Sequence, residues 1–268
     1  MTRVSRTRTA ALAAAGTVAG AGAAALGAHA LLSRQAAVAR RRIGKPLGED
    51  ALDADRLWRA SYGGATIDLL VLGDSIAAGL GAQRRKDTLG ARLAKGLAHG
   101  MRRPVRLRTA AVVGAESSML AAQLDALPEH YSPRVAVIVV GGNDVTHRVP
   151  VATAAAHLAE AITRLRDLGA DVVVGTCPDL SALRPVPQPL RALGGRASRQ
   201  LALAQAAASI DAGAHVVSLR RAVGPVFVSQ PDAMFSLDRF HPSALGYRRT
   251  AEALLPAVIA AASGVTSH

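Results

Sequence analysis

The 268-residue chain has one cysteine, Cys177, and aromatic residues make up only 3% of it. A lone cysteine excludes an intramolecular disulfide and any cysteine-rich metal site. Cys177 closes the apolar run "DVVVGTC", where a small buried hydrophobe is the expected role. Scarce aromatics leave the core to Ala, Val and Leu. Acidic residues are missing altogether from residues 1–48, which hold eight basic ones: Arg3, Arg6, Arg8, Arg34, Arg40, Arg41, Arg42 and Lys45. Most of the formal net charge of +13 therefore belongs to this end of the chain. The body is only modestly basic and lacks a basic stripe interleaved with aromatics, so no nucleic-acid partner is expected.

The first segment reads as a targeting element. Residues 10–32 are uncharged, with arginines on both flanks, and "AHA" at Ala28–Ala30 fits a small-x-small cleavage site. The length suits a bilayer, although Ala and Gly favour insertion less than Leu. The expected organisation is a signal peptide or membrane anchor over 1–33, a basic linker over 34–64 and one folded domain over 65–268. The expected place of work is outside the cytoplasmic membrane, secreted or anchored and facing outward. Membrane association is expected through the N-terminal segment.

Beyond the linker, apolar runs of strand length alternate with stretches of helical spacing. The runs are Ile67–Leu72, Val105–Val113, Val135–Val140, Asp171–Thr176 and His215–Leu219. The helical stretches are Leu89–Ala98, Ser118–Ala126, Val151–Leu168, Arg196–Ala212 and about Ser243 to Ala262. Alternation predicts an α/β fold, and runs such as "VAVIVV", apolar at every position, predict parallel strands buried on both faces. The Pro-rich patch Arg184–Gly195 predicts an irregular segment, with Arg191 facing solvent.

Open α/β sheets bind ligands beyond the carboxyl ends of their strands. Four polar clusters stand at those places: "GDS" at Gly73–Ser75, Gly114 in "AVVGAESS", "GGND" at Gly141–Asp144, and "DRFHPS" with Asp238 and His241. Phosphate readings of the first cluster fail on spacing. Ala78 stands where a P-loop needs its second glycine, and Arg84 where a dinucleotide fingerprint from Gly79 needs Gly or Ala. A nucleophile reading uses every cluster. His241 would take the Ser75 hydroxyl proton, and Asp238, one turn earlier, would orient the ring. The N–H groups of Ser75 and Gly114 and the Asn143 amide would hold the developing oxyanion. Asp74 and Asp144 are expected to brace their turns, and Asp179 is the second choice of acid. His147 defaults to an exposed loop residue, and no histidine has partners at metal-ligand spacing.

These four blocks, in this order, resemble the GDSL or SGNH hydrolases over roughly Ile67 to the C-terminus. The resemblance implies a flavodoxin-like three-layer α/β/α sandwich around a five-stranded parallel sheet of order 2-1-3-4-5. It also implies ester hydrolysis through an acyl-serine, with no metal or cofactor and a small-molecule or lipid ester as substrate. Transfer or deacetylation on an envelope sugar or glycolipid is the alternative chemistry, and a silent envelope-binding domain the alternative class.

Overall fold

The computed structural model describes residues 24–264. Residues 10–23 of the expected targeting stretch lie outside the described residues, and the remainder belongs to a helix, α1, over residues 24–43. Among the described residues no helix is long and apolar enough to cross a membrane.

The sheet has six strands: β1 Leu57–Trp58, β2 Ile67–Gly73, β3 Val105–Thr109, β4 Val135–Val139, β5 Asp171–Gly175 and β6 His215–Val217. Their spatial order is β1-β3-β2-β4-β5-β6. The last five are parallel and reproduce the expected 2-1-3-4-5 order. The sixth is a correction to the five-stranded expectation. Leu57–Trp58, inside the stretch read as a linker, pairs antiparallel with β3. Trp58 is buried, and its indole N–H donates to the Ala54 carbonyl, so this short edge strand is held by its side chain as well as by pairing.

Ten further helices follow α1: α2 Ser75–Ala78, α3 Leu89–Met101, α4 Leu120–Asp125, α5 Gly142–His147, α6 Val151–Asp167, α7 Leu190–Asp211, α8 Leu219–Ala222, α9 Gly224–Ser229, α10 Pro231–Met234 and α11 Ala244–Ser263. Helices α3 and α11 cover one sheet face with Leu93, Leu97, Tyr247 and Leu254, against Leu69, Val71 and Val137. Helices α4 and α6 cover the other with Leu120, Leu158 and Ile162, against Leu70, Leu72 and Ile138. The two long helices on the first face approach closely because α3 presents glycine to α11. A Cβ at Gly96 would sit 2.5 Å from Leu255, and one at Gly100 would sit 2.7 Å from Ile259.

Two boundaries differ from expectation by more than three residues. Strand β3 stops at Thr109, although Ala110 and Val112 still donate their N–H groups to the carbonyls of Val71 and Gly73 and so keep the chain alongside the end of β2. Helix α7 begins at Leu190, inside the patch expected to be irregular. Pro189 sits at its N-cap, where a missing N–H costs nothing. Gly195, within α7, allows the helix to rest on the 3₁₀ turn Leu180–Ala182, since a Cβ there would lie 2.6 Å from that of Ser181.

Candidate active site

The end of β2 is built around one glycine. Gly73 has φ +129°, and a Cβ there would fall 1.9 Å from the Val139 carbonyl oxygen of β4. Only glycine fits this turn. A buried Gln123 on α4 then pairs with Gly73 as a strand would: Gly73 N–H donates to Oε1 at 2.9 Å, and Nε2 donates to the Gly73 carbonyl at 2.8 Å. Losing that side chain would strand the buried Gly73 N–H, at about 1–3 kcal/mol, while the carbonyl would keep the Val112 N–H. The next residue, Asp74, caps α2 by accepting the Ile76 N–H at 2.9 Å. Ser75 follows as the first residue of α2 and is 7% exposed.

Across the site, the loop from Phe235 to Ser243 closes on itself. Phe235 bridges to Pro242, and Ser236 N–H donates to the His241 carbonyl at 2.7 Å. Arg239 takes a left-handed φ of 55°, and Asp238 Oδ1 accepts the N–H groups of Phe240 and His241 at 2.9 and 3.0 Å. This turn sets the acid and the imidazole side by side: His241 Nδ1 lies 2.5 Å from Asp238 Oδ2. His241 Nε2 lies 2.9 Å from Ser75 Oγ. The three residues picked from sequence thus form one hydrogen-bonded line. Burial alone would raise the Asp238 carboxyl, but bonds from the His241 ring and the two N–H groups, with the ring's charge, outweigh it and hold it below the usual carboxylate range. The same contacts favour the ionised carboxylate, the form that can accept the ring N–H.

The segment after the nucleophile supports this loop. Tyr247 donates to the Leu80 carbonyl at 2.6 Å, and Ser236 donates to that of Gly81 at 3.2 Å. Gly81 is itself required, since a Cβ would lie 2.6 Å from the Pro242 carbonyl oxygen. This segment is "IAAGLGA", Ile76–Ala82. Its paired glycines were the available signal of close approach.

The other two blocks are tied to each other. Asn143, on α5, donates its amide to the Ala115 carbonyl at 2.9 Å. Asp144 accepts both the N–H and the hydroxyl of Ser117, which gives it the bracing role expected of it. His147 is paired with Glu116 at 2.6 Å, a third strut between the same two loops. Gln205 on α7 closes the frame from behind, donating to the Val140 carbonyl and accepting the Cys177 N–H. Cys177 is fully buried against Gly141, and burial pushes its thiol well up, so it is a packing residue. Gly114 has φ +85° and open space around it, but it stands outside the ring of residues lining the cavity at Ser75. Among the described residues the N–H groups of Ser75 and Gly114 have no acceptor.

That cavity, of about 70 Å³, opens beside Ser75, Asn143 and His241. Leu180, Leu183, Val223, Phe227, Phe235 and Phe240 give it an apolar wall. Asp179, the second-choice acid, borders the cavity but is engaged elsewhere: it caps the Ser181 N–H and pairs with Arg220 at 3.1 Å. Among the described residues no cluster of three or more His, Cys, Asp or Glu can hold a metal ion.

A hydroxyl, an imidazole and a carboxylate in line beside an apolar cavity are suited to acyl transfer through serine. Residues 71–249 match the GDSL-like lipase/acylhydrolase family. The chain belongs to this family. The GDSL-like esterase Rv1075c of Mycobacterium tuberculosis is 40% identical to it over 263 residues, spanning 94% of this chain and 83% of the relative. Two solved structures share the SGNH-type fold. The esterase EstA of a Pseudoalteromonas species has a TM-score of 0.54 at 22% identity, over 69% of this chain and 95% of its own. LAE5, an α/β hydrolase enzyme from the metagenome of Lake Arreo in Spain, has a TM-score of 0.58 at 20% identity, over 77% and 99%.

Asp74 gives the GDSL block an unusual electrostatic signature. Burial pushes its carboxyl up to about 6, against partial relief from the Ile76 N–H and the His241 charge. A carboxyl raised in the folded state stabilises least when ionised. Its contribution is intact below the ordinary value near 4 and is lost as pH rises through about 6. The rise corresponds to about 3 kcal/mol. Asp74→Asn, which stays neutral, should therefore gain on the wild type by about that much between pH 4 and pH 7 in urea denaturation. A difference between the two proteins that does not change with pH would refute the burial account.

Proposed function

We propose that the chain hydrolyses carboxylic esters of short acyl chains through an acyl-Ser75 intermediate. The observation that carries this reading is the unbroken line Asp238–His241–Ser75, with 2.5 and 2.9 Å links, at the mouth of an apolar cavity. His241 removes the hydroxyl proton as Ser75 Oγ attacks the ester carbonyl. The carbonyl oxygen becomes an oxyanion, held by the Ser75 N–H and the Asn143 amide, with the Gly114 N–H from the neighbouring loop as third donor. The tetrahedral species collapses, and His241 returns the proton to the departing alcohol. Water, activated by the same imidazole, then releases the acid and restores Ser75.

Apolar walls and modest volume favour a short acyl chain in the cavity, leaving the alcohol portion toward solvent. We also propose that the protein works outside the cytoplasmic membrane, on the strength of the arginine-flanked uncharged stretch at residues 10–32.

The test combines a fluorophosphonate with an ester series. The wild type should take up one equivalent of the reagent, on the peptide that holds Ser75, and kcat/KM should peak at short acyl chains. Absence of labelling would remove the acyl-serine reading, and a maximum at long fatty esters would remove the short-chain one.

A further inference from the structure

Acidic residues are missing from two stretches that lie far apart in sequence. One is residues 1–48; the other is residues 180–210, between Asp179 and Asp211. The described part of the first contributes Arg34, Arg40, Arg41, Arg42 and Lys45, and the second contributes Arg184, Arg191, Arg196 and Arg199. The fold brings the two together. Gln35 of α1 donates to the Gln188 carbonyl at 2.5 Å and accepts the Leu190 N–H at 3.0 Å. Arg42 donates to the Pro185 carbonyl at 3.3 Å.

The joined segments expose cations and large aliphatics together. Arg34, Arg40, Arg41, Arg184, Arg196 and Arg199 are exposed, and none has an ion-pair partner among the described residues. Leu193 is 47% exposed, Leu203 64% and Ile210 64%. On α7, Arg196, Arg199, Leu203 and Ile210 recur at spacings of three, four and seven, which puts them on one solvent-facing side. Asp179, the acid that begins the second stretch, is already bound to Arg220.

We propose that α1 and α7 form a docking surface for an anionic lipid bilayer. Unpaired cations draw the protein to the negative headgroups, and the leucines between them enter the interface. The aliphatic component selects lipid over a soluble polyanion, for which exposed leucine has no use. The opposite, buried side of α7 rests through Gly195 on the turn Leu180–Ala182, whose Leu180 lines the cavity. The inference stands apart from the ester-hydrolase reading and does not need it.

Cosedimentation of the full chain with two kinds of vesicle tests it: phosphatidylcholine alone, and an equal mixture with phosphatidylglycerol. The wild type should prefer the anionic vesicles, and salt should weaken that preference. In Arg196→Glu/Arg199→Glu, partition onto anionic vesicles should fall by about 30-fold or more, from roughly a five-fold factor per cation removed. Binding to neutral vesicles, which reports residues 10–32, and turnover of a soluble ester should both stay unchanged. An anionic preference that survives in the double variant overturns the proposal. So does equal binding of a DNA duplex together with a Leu203→Ser variant that binds vesicles as the wild type does.

Discussion

Ser75→Ala is expected to lower kcat on a soluble ester by on the order of 10⁶-fold, the scale seen when a serine hydrolase loses its nucleophile. The magnitude follows from what remains. Without Oγ, His241 Nε2 has no hydroxyl 2.9 Å away to deprotonate, and no acyl-enzyme forms. Residual turnover comes only from water attacking an ester polarised by the oxyanion donors, about 10³–10⁴ above solution. His241→Ala should cost a similar factor, and the double variant should be no worse than either single one. Groups that act as a unit lose their effect once. Ser75 is a small buried residue at the start of a four-residue helix, so alanine fits its space and the melting transition should hardly move. A double variant whose loss is the product of the two single losses would separate Ser75 from His241 mechanistically. Turnover within tenfold of wild type in Ser75→Ala would end the acyl-serine mechanism.

The line Ser75–His241–Asp238 is legible in sequence for a physical reason. In a parallel sheet the carboxyl ends of the strands share an edge, so polar residues following successive apolar runs must converge. Ser75 and Asn143 lie a short turn past the ends of β2 and β4, and Asp238 and His241 precede the final helix. The i, i+3 spacing of Asp238 and His241 also announced a single turn, and the structure forms it through the left-handed Arg239. What escaped were the braces. Gln123 and Gln205 are buried and each makes two hydrogen bonds to backbone at the mouth of the sheet. A glutamine on an amphipathic helix reads as part of the solvent face, and only the fold shows which way it points. Leu57–Trp58 escaped because two residues are too few to display alternation. The start of α7 escaped because Pro189 is a breaker inside a helix and a favourable residue at its beginning. The docking surface was half legible. The acid-free stretches are plain in sequence, but their meeting through Gln35 and Leu190 is a property of the fold.

Asp238→Asn should lower kcat by about 10⁴-fold with little change in KM, and the reason lies in which oxygen does what. Oδ1 of Asp238 accepts two backbone N–H groups, while Oδ2 faces the ring of His241. Asparagine has one acceptor and one donor group at these positions. To keep the turn, its oxygen must stay with the N–H groups of Phe240 and His241, and its amide is then left facing His241 Nδ1. Nδ1 must become the acceptor, so the ring proton moves to Nε2, the atom that has to accept a proton from Ser75. The geometry survives and the tautomer is wrong. Asp179→Asn is the companion measurement, because Asp179 is the other acid at the cavity and is committed to Arg220 and Ser181. Its substitution should leave kcat within a few-fold of wild type. Stability in acid gives a second readout for Asp238. Asp238, held below the ordinary range, stabilises the fold above its usual value and loses that contribution as pH falls through its folded one. Asp238→Asn should therefore be less sensitive to acid below about pH 4 than the wild type. An Asp238→Asn enzyme that keeps near-normal kcat, or an Asp179→Asn enzyme that loses it, would move the acid of the triad to the other side of the cavity.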